Sequence, residues 1–360
     1  MQHYRIDPSK GMEFGLYSLG DHMVHSMIST PISAEQRIKE LIDASKLAEA
    51  AGIDVFALGE SHELYFTTQA HTVILGAIAQ ATTSIKLSSS ATVLSVHDPV
   101  RVYEDFATLD LISHGRAEIV AGRGSRIGAH ELFGLDLNDY EDIFEEKLDL
   151  LLKLNNADRP VNWHGNFRPP LLRAHILPQP KHGHLPIWRA VGGPPASAIK
   201  AGSAGIPMVL TTLGGPAVHF QQSAIAYREA AALNGHSPEQ LPIATASLFH
   251  VAPTTEQAFR DYYPYLNAGF TAIRRTGYPR QQFEAAVDYK DALMIGSPQL
   301  IIEKLLYQYE LYGQQRFMAQ IDFGGVPFKM IMNMIELIGR DIIPAIKKHT
   351  RQSSKEDSDH

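Results

Sequence analysis

The sequence predicts an α/β fold, a single (β/α)8 TIM barrel, and three observations carry that expectation. Strand-length apolar runs alternate with helix-length amphipathic runs along the whole chain, about eight of each. The residues just after the apolar runs are mostly small or glycine, as suits a barrel mouth holding a flat ligand against backbone. The turn after the first strand, Ser18-Leu19-Gly20-Asp21-His22, lacks the glycine-rich fingerprint of the rival doubly wound sheet.

The elements follow in order. Residues 12–17 read as the first strand. Ser33 caps the next helix, with Gln36 closing a capping box, and Ile38, Leu41, Ile42, Ala48 and Ala51 share one face until Gly52 stops it. A buried strand over 53–58 leads to a helix over 70–82. A third strand over 85–90 leads to a helix that Pro99 opens, with Asp98 as its cap. Strand four spans 117–121, and an acidic helix spans 139–154. Residues 161–180 are proline-rich and read as an irregular excursion after strand four. The rhythm resumes with strands at 187–191, 208–212 and 243–251 and helices at 196–204 and 217–233. Extra helices at 255–269 and 281–292 precede the closing unit: helix 299–312, strand 317–323, and a final helix from Pro327 to about 346. Met330, Met332 and Met334 read as core of that helix.

Composition bounds the function. Of 360 residues, 44% are apolar and 20% charged, enough for one large core, so residues 1–350 are expected to form one domain and 351–360 a disordered polar tail. The net charge of −7 and the absence of a basic block beyond Lys347-Lys348 argue against nucleic acid as a partner. There is no cysteine, so no disulfide, thiolate nucleophile or Cys-ligated metal arises. No apolar run is long enough to span a bilayer, and residues 1–10 lack a signal core; a cytoplasmic protein without membrane partners is expected.

The chemistry concentrates at strand ends. Arg123 stands between Gly122 and Gly124 at the end of strand four, with Ser125 and Arg126 following. Glycines let backbone approach an anion, and a guanidinium can grip two phosphate oxygens. An ordinary surface arginine is the bland alternative. Gly192, Gly193, Pro194 and Ser197 follow strand five and lead into a helix whose free N–H groups suit phosphate; a plain strand-to-helix turn is the alternative. Glu60, Ser61 and His62 follow strand two. His62 reads either as a general acid–base residue or as a hydrogen-bonded structural histidine, and Glu60 as a buried carboxylate near substrate or the partner of an arginine. His182 and His184, beside Gly183, are expected to face solvent. No metal site is expected; a metal-dependent hydrolase would have only Glu60, His62 and Asp322 to draw on.

Taken together, several blocks resemble the bacterial-luciferase-like flavin monooxygenases. They are Ala48 to Val55 with Glu60-Ser61-His62, Ser90 to Leu94 with His97 to Arg101, Leu109 to Arg116, and Gly296-Ser297-Pro298 with the terminal helix. The resemblance covers roughly residues 12–348. It implies FMN at the carboxyl face of the barrel, used in its reduced form with molecular oxygen on a small organic substrate. It places Arg123, Gly124 and Ser125 at the flavin phosphate, and Gly192, Gly193, Pro194 and Ser197 on a second phosphate loop. It places Ser90 and Ala91 at a non-prolyl cis peptide beneath the flavin ring. It makes Glu60 and His62 the candidate catalytic pair, although Ser61 stands where relatives often carry the first of two histidines. Reduced flavin would come from a separate reductase, because no second nucleotide-binding block is present, and a homodimer is implied. The segments after Gly122 and over 270–283 are candidate lids. A deazaflavin cofactor, F420, in the same barrel and a flavin-binding protein without turnover are the alternatives.

Overall fold

The computed structural model describes residues 1–23, 32–124, 127–156 and 160–351. Eight parallel strands close into a ring: β1 (Glu13–Ser18), β2 (Val55–Leu58), β3 (Lys86–Ser89), β4 (Ala117–Gly122), β5 (Ile187–Val191), β6 (Met208–Thr211), β7 (Ile243–Val251) and β8 (Arg316–Gln320). Each pairs with its neighbour in sequence order, and β8 returns to β1 with Glu13 opposite Arg316 and Tyr17 opposite Gln320. The barrel expected from the alternating pattern is therefore the fold.

The surrounding helices are α1 (Ala34–Ala50), α2 (His71–Ala81), α3 (Pro99–Ile112), α4 (Tyr140–Asn155), α5 (Pro195–Ser203), α6 (Gln221–Leu233), α7 (Pro298–Tyr312) and α8 (Phe328–Leu337). Both caps read from sequence hold. Ser33 Oγ accepts from the Gln36 N–H at 3.0 Å, and Asp98 Oδ1 accepts from the Val100 N–H at 2.8 Å.

Strand alternation sorts the core. Phe14, Leu16, Phe56 and Ile119 face the helices in the larger apolar layer. Val55, Ala57, Val120, Trp188 and Met318 fill the barrel interior. Gly15 is small because it must be: a Cβ there would meet Met318 Sδ at 2.3 Å. The amino end of the barrel is closed by charge. Arg316 is buried between Glu118 and Glu13, at 2.6 and 2.7 Å, with its guanidinium 4.8 Å from the centre of the Trp188 ring. Ile6 and Tyr4 from the amino-terminal segment pack beneath this layer.

Five details differ from the sequence expectation. The excursion after β4 contains an antiparallel pair, Val161–Trp163 with Leu171–Ala174. The helix expected over 281–292 stops at Ala285. There Asp288 and Asp291 accept the N–H groups of Lys290 and Leu293, a local turn chemistry that competes with helix, and the short strand Met294–Gly296 follows and pairs with β7. The last helix is broken by a π turn over Ile338–Ile342, where Gly339 lies so close to α1 that a Cβ would meet the Ala51 carbonyl at 2.5 Å. Met334 is core, but Met332 is exposed. His182 is exposed as expected, whereas His184 is half-buried and stacks on His3 with ring centres 4.0 Å apart. The expected tail lies outside the described residues apart from Arg351.

Candidate functional site

A cavity of about 920 Å³ opens at the carboxyl ends of the strands. That size suits a cofactor together with a small substrate. Glu60, Ser61, His62, Ser90, Ala91, Arg123, Gly124, Gly192 and Gly193 all line it.

One wall is built on β2 and β3. The chain leaves β2 through Gly59, where a Cβ would sit 2.2 Å from the Ser90 carbonyl, so two backbones touch there. Ser90-Ala91 is a cis peptide, as the resemblance implied. The Glu60 N–H donates to the Ala91 carbonyl at 2.9 Å, and Glu60 Oε2 accepts from the Val93 N–H at 2.8 Å. Glu60 thus ties its own turn to the segment that carries the cis bond.

The other carboxylate oxygen of Glu60 meets His62 Nε2 at 2.6 Å and His97 Nε2 at 2.8 Å. Burial pushes the Glu60 carboxyl up. The hydrogen bond and charge of His97, with His71 and His62, outweigh it and hold the group below the ordinary glutamate range. Glu60 is therefore an ionised acceptor bridging two imidazoles, not the partner of an arginine. Phe133 stands edge-on to His62, ring centres 5.0 Å apart, and shields the cluster on one side. His97 was not singled out for chemistry from the sequence; its contact with Glu60 spans 37 positions, which no local pattern reveals.

The second wall is built on β4 and β5. Gly124 takes a left-handed φ of 79°, and a Cβ there would meet Val93 at 2.6 Å. Between it and Gly122, Arg123 pairs with Glu141 of α4 and lies over the Tyr140 ring, 5.5 Å from its centre. Lys200 of α5 binds both Glu141 and Glu145 at 2.9 Å. A cation pair thus faces two carboxylates beside the arginine turn. Ser125 lies outside the described residues.

Among the described residues, chain neighbours aside, no atom comes closer than 3.8 Å to where a Cβ of Gly192 or Gly193 would stand, so the backbone there is open to a ligand. Pro194 and Ser197 do not line the cavity. Ser197 Oγ accepts from Arg189 Nε at 3.2 Å, and Arg189 spends its other nitrogens on Glu145 at 2.8 and 2.6 Å. Asp322 is committed elsewhere, accepting from Ser18 Oγ at 2.5 Å and the Asp21 N–H at 3.1 Å. Among the described residues no group of three or more His, Asp or Glu is placed to hold a metal.

A closed parallel barrel whose strand-end glycines open onto one cavity has the architecture of an α/β-barrel enzyme. The luciferase-like monooxygenase family model matches residues 12–315, and the chain belongs to that family; it is an oxidoreductase of the monooxygenase class. It is 26% identical over 349 residues to the uncharacterised protein y4wF of Sinorhizobium fredii, covering 90% of this chain and 94% of that one. It is 23% identical over 345 residues to the alkanal monooxygenase alpha chain of the Kryptophanaron alfredi symbiont, covering 88% and 95%.

Among solved structures, the monooxygenase RslO1 from Streptomyces bottropensis superposes with a TM-score of 0.80 at 22% identity, covering 92% of this chain and 99% of that one. The oxygenating constituent of 3,6-diketocamphane monooxygenase of Pseudomonas putida, in complex with FMN, gives a TM-score of 0.72 at 20% identity, covering 93% and 98%. An F420-dependent secondary alcohol dehydrogenase in complex with an F420-acetone adduct gives 0.70 at 19% identity, covering 93% and 99%. These likenesses concern the fold.

Proposed function

We propose that this chain is an FMN-dependent monooxygenase that uses reduced flavin and molecular oxygen on a small organic substrate. One observation supports the reading most: Arg123 with Gly124, and Gly192 with Gly193, come from different strands and face one cavity with open backbone between them. Arg123 and Lys200 are the cations for a phosphate dianion, which displaces the Glu141 carboxylate that joins them. The Gly122 turn and the Ser90-Ala91 peptide form the floor beneath a flat ring; a Cβ on Gly122 would stand 2.9 Å from the Ala91 methyl, so the floor is already packed. Ser125 belongs to the phosphate side in this reading, while Pro194 and Ser197, set back from the cavity wall, act only by shaping the turn that carries Gly192 and Gly193.

When bound, the reduced flavin supplies the chemistry of oxygen activation. The protein's own part is to orient the ring, exclude water and hold a proton. Glu60 fixes the His62 ring through Nε2, and that imidazole is the group at the cavity wall able to take up or return a proton. A reductase that delivers the flavin, a homodimer and a cytoplasmic location belong to the same reading; among the described residues no helix is long and apolar enough to cross a membrane.

The test is reconstitution of the purified protein with FMN and with F420, read by absorbance, followed by oxygen consumption with reduced flavin. The reading expects FMN to bind and oxygen uptake to rise with substrate. Selective uptake of F420 moves the chain to a deazaflavin oxidoreductase, and binding without turnover to a flavin carrier.

A further inference from the structure

The connection from β7 to β8 crosses the mouth on the side opposite β4. It brings a second arginine to the cavity. Arg274 ends the helix Thr255–Arg274, lines the cavity, and lies over the Phe270 ring with its guanidinium 4.8 Å from the ring centre. Among the described residues no carboxylate comes within ion-pairing distance of it. An arginine in a last helical turn also complements the helix dipole, so its position alone decides nothing.

A second observation points the same way. Tyr278 is 7% exposed and lines the same cavity, and its hydroxyl has no hydrogen-bond partner among the described residues. That hydroxyl stands 2.7 Å from where a Cβ of Gly214, another cavity residue, would be. Burial pushes it up to about 12, so it stays a donor at any ordinary pH. Gln320 repeats the pattern on the floor. Its Oε1 accepts from the Tyr17 hydroxyl at 2.9 Å, while its Nε2 is buried without a partner among the described residues. Leaving buried donors unpaired is costly, and Tyr278 and Arg274 share one wall, since both pack on the Phe270 ring.

We propose that this side of the cavity is a seat for an organic oxyanion, so that the substrate carries a carboxylate or sulfonate head on an apolar body. Arg274 and Tyr278 grip the head, Gln320 Nε2 offers a further donor from the floor, and Phe270, Phe220 and Leu213 cover the body. The inference deepens the proposed function and rests on its placing the cofactor phosphate at Arg123, which leaves the second arginine for substrate.

The test compares octanoate, octane-1-sulfonate and octan-1-ol by calorimetry on the FMN-loaded protein, with the variants Arg274→Gln and Tyr278→Phe. The chain length is shared, so the head group alone differs. Both anions should bind at least about tenfold tighter than the alcohol, as charge-assisted hydrogen bonds require. Arg274→Gln should abolish that preference and Tyr278→Phe should reduce it several-fold, while FMN affinity in both stays within about twofold of wild type. Equal affinity for the three, no binding of any, a preference that survives Arg274→Gln, or a loss of FMN on that substitution overturns the assignment. If the wild-type protein takes no FMN, the cofactor reading fails, and the same titrations on the cofactor-free protein still decide the oxyanion seat by the preference and its loss.

Discussion

At the scale of single residues, the site depends on which charges are free to meet a ligand. Arg123 is engaged with Glu141, but both side chains are partly exposed, at 25% and 49%, and such a pair contributes about 0–1 kcal/mol. In the proposed reading a phosphate dianion outcompetes it. Glu141→Gln is therefore expected to tighten FMN binding by no more than about fivefold, measured by flavin fluorescence; a large loss would mean that Glu141 organises the site. Glu60 and His62 act together. Glu60→Gln keeps the shape but removes the charge that fixes both imidazoles, and should lower kcat with substrate by about 10²-fold or more while FMN affinity changes little. Loss of FMN with kcat preserved in the bound fraction would make Glu60 a binding residue instead. The place of Arg123 at the cavity was legible from its glycine neighbours, and that of Glu60 and His62 from their position after a strand. The His97 and Lys200 contacts were not, because they join segments distant in sequence, and Arg274 reaches the cavity only through the course of the β7–β8 connection.

At the scale of elements, the turn that follows β8 shows how tightly the mouth is made. Gly324 has a φ of 87°, and a Cβ there would lie 2.1 Å from the Tyr265 carbonyl, with no flexible atom to yield. Gly324→Ala should cost about 2–4 kcal/mol in urea unfolding; a cost below about 0.5 kcal/mol would show that the turn can move. This turn and the turn after β1 together carry a carboxyl pair. Asp21 accepts from the N–H groups of Met23 and Gly324 with its two oxygens, and Asp322 Oδ2 accepts from Ser18 and Asp21. Asp322 Oδ1 is buried and has no donor among the described residues, which disfavours the charged form of that carboxyl.

Burial first, and the neighbouring carboxylate with it, raises Asp21 to about 7; burial raises Asp322 as well. A raised carboxyl stabilises the fold below its unfolded pKa near 4, and that contribution is lost as pH climbs through the folded value. Asp322→Asn removes the carboxyl whose charge helps to raise Asp21 and should flatten the fall in Tm between about pH 5 and 8, read as variant minus wild type. The difference cancels His71 and His250, which burial lowers to about 4 and which act in the opposite sense, weakening the fold as pH falls. An unchanged slope would place the titrating proton elsewhere.

At the scale of the whole molecule, stability and function sit at opposite ends of one barrel. The amino end is locked by Arg316, Glu118 and Glu13, and the carboxyl end opens into the cavity. Arg316→Ala leaves Glu118 buried without its partner and should cost about 3–5 kcal/mol, with FMN affinity of the folded fraction unchanged; a loss of flavin with stability intact would contradict that division. The barrel itself was readable because its strands and helices alternate at their proper periods and are capped by Ser33, Asp98 and Pro99. The π turn at 338–342, the paired strands inside the excursion and the early stop at Ala285 were not, since each reflects tertiary contact or side-chain capture of backbone over local periodicity. The central claim is that Arg123 and the glycine turns hold the flavin phosphate. Its most direct test is FMN titration of wild type against Arg123→Ala: the account predicts binding at micromolar levels or tighter that weakens by about ten- to a hundredfold in the variant, and equal affinity in the two proteins, or no FMN binding by wild type, contradicts it.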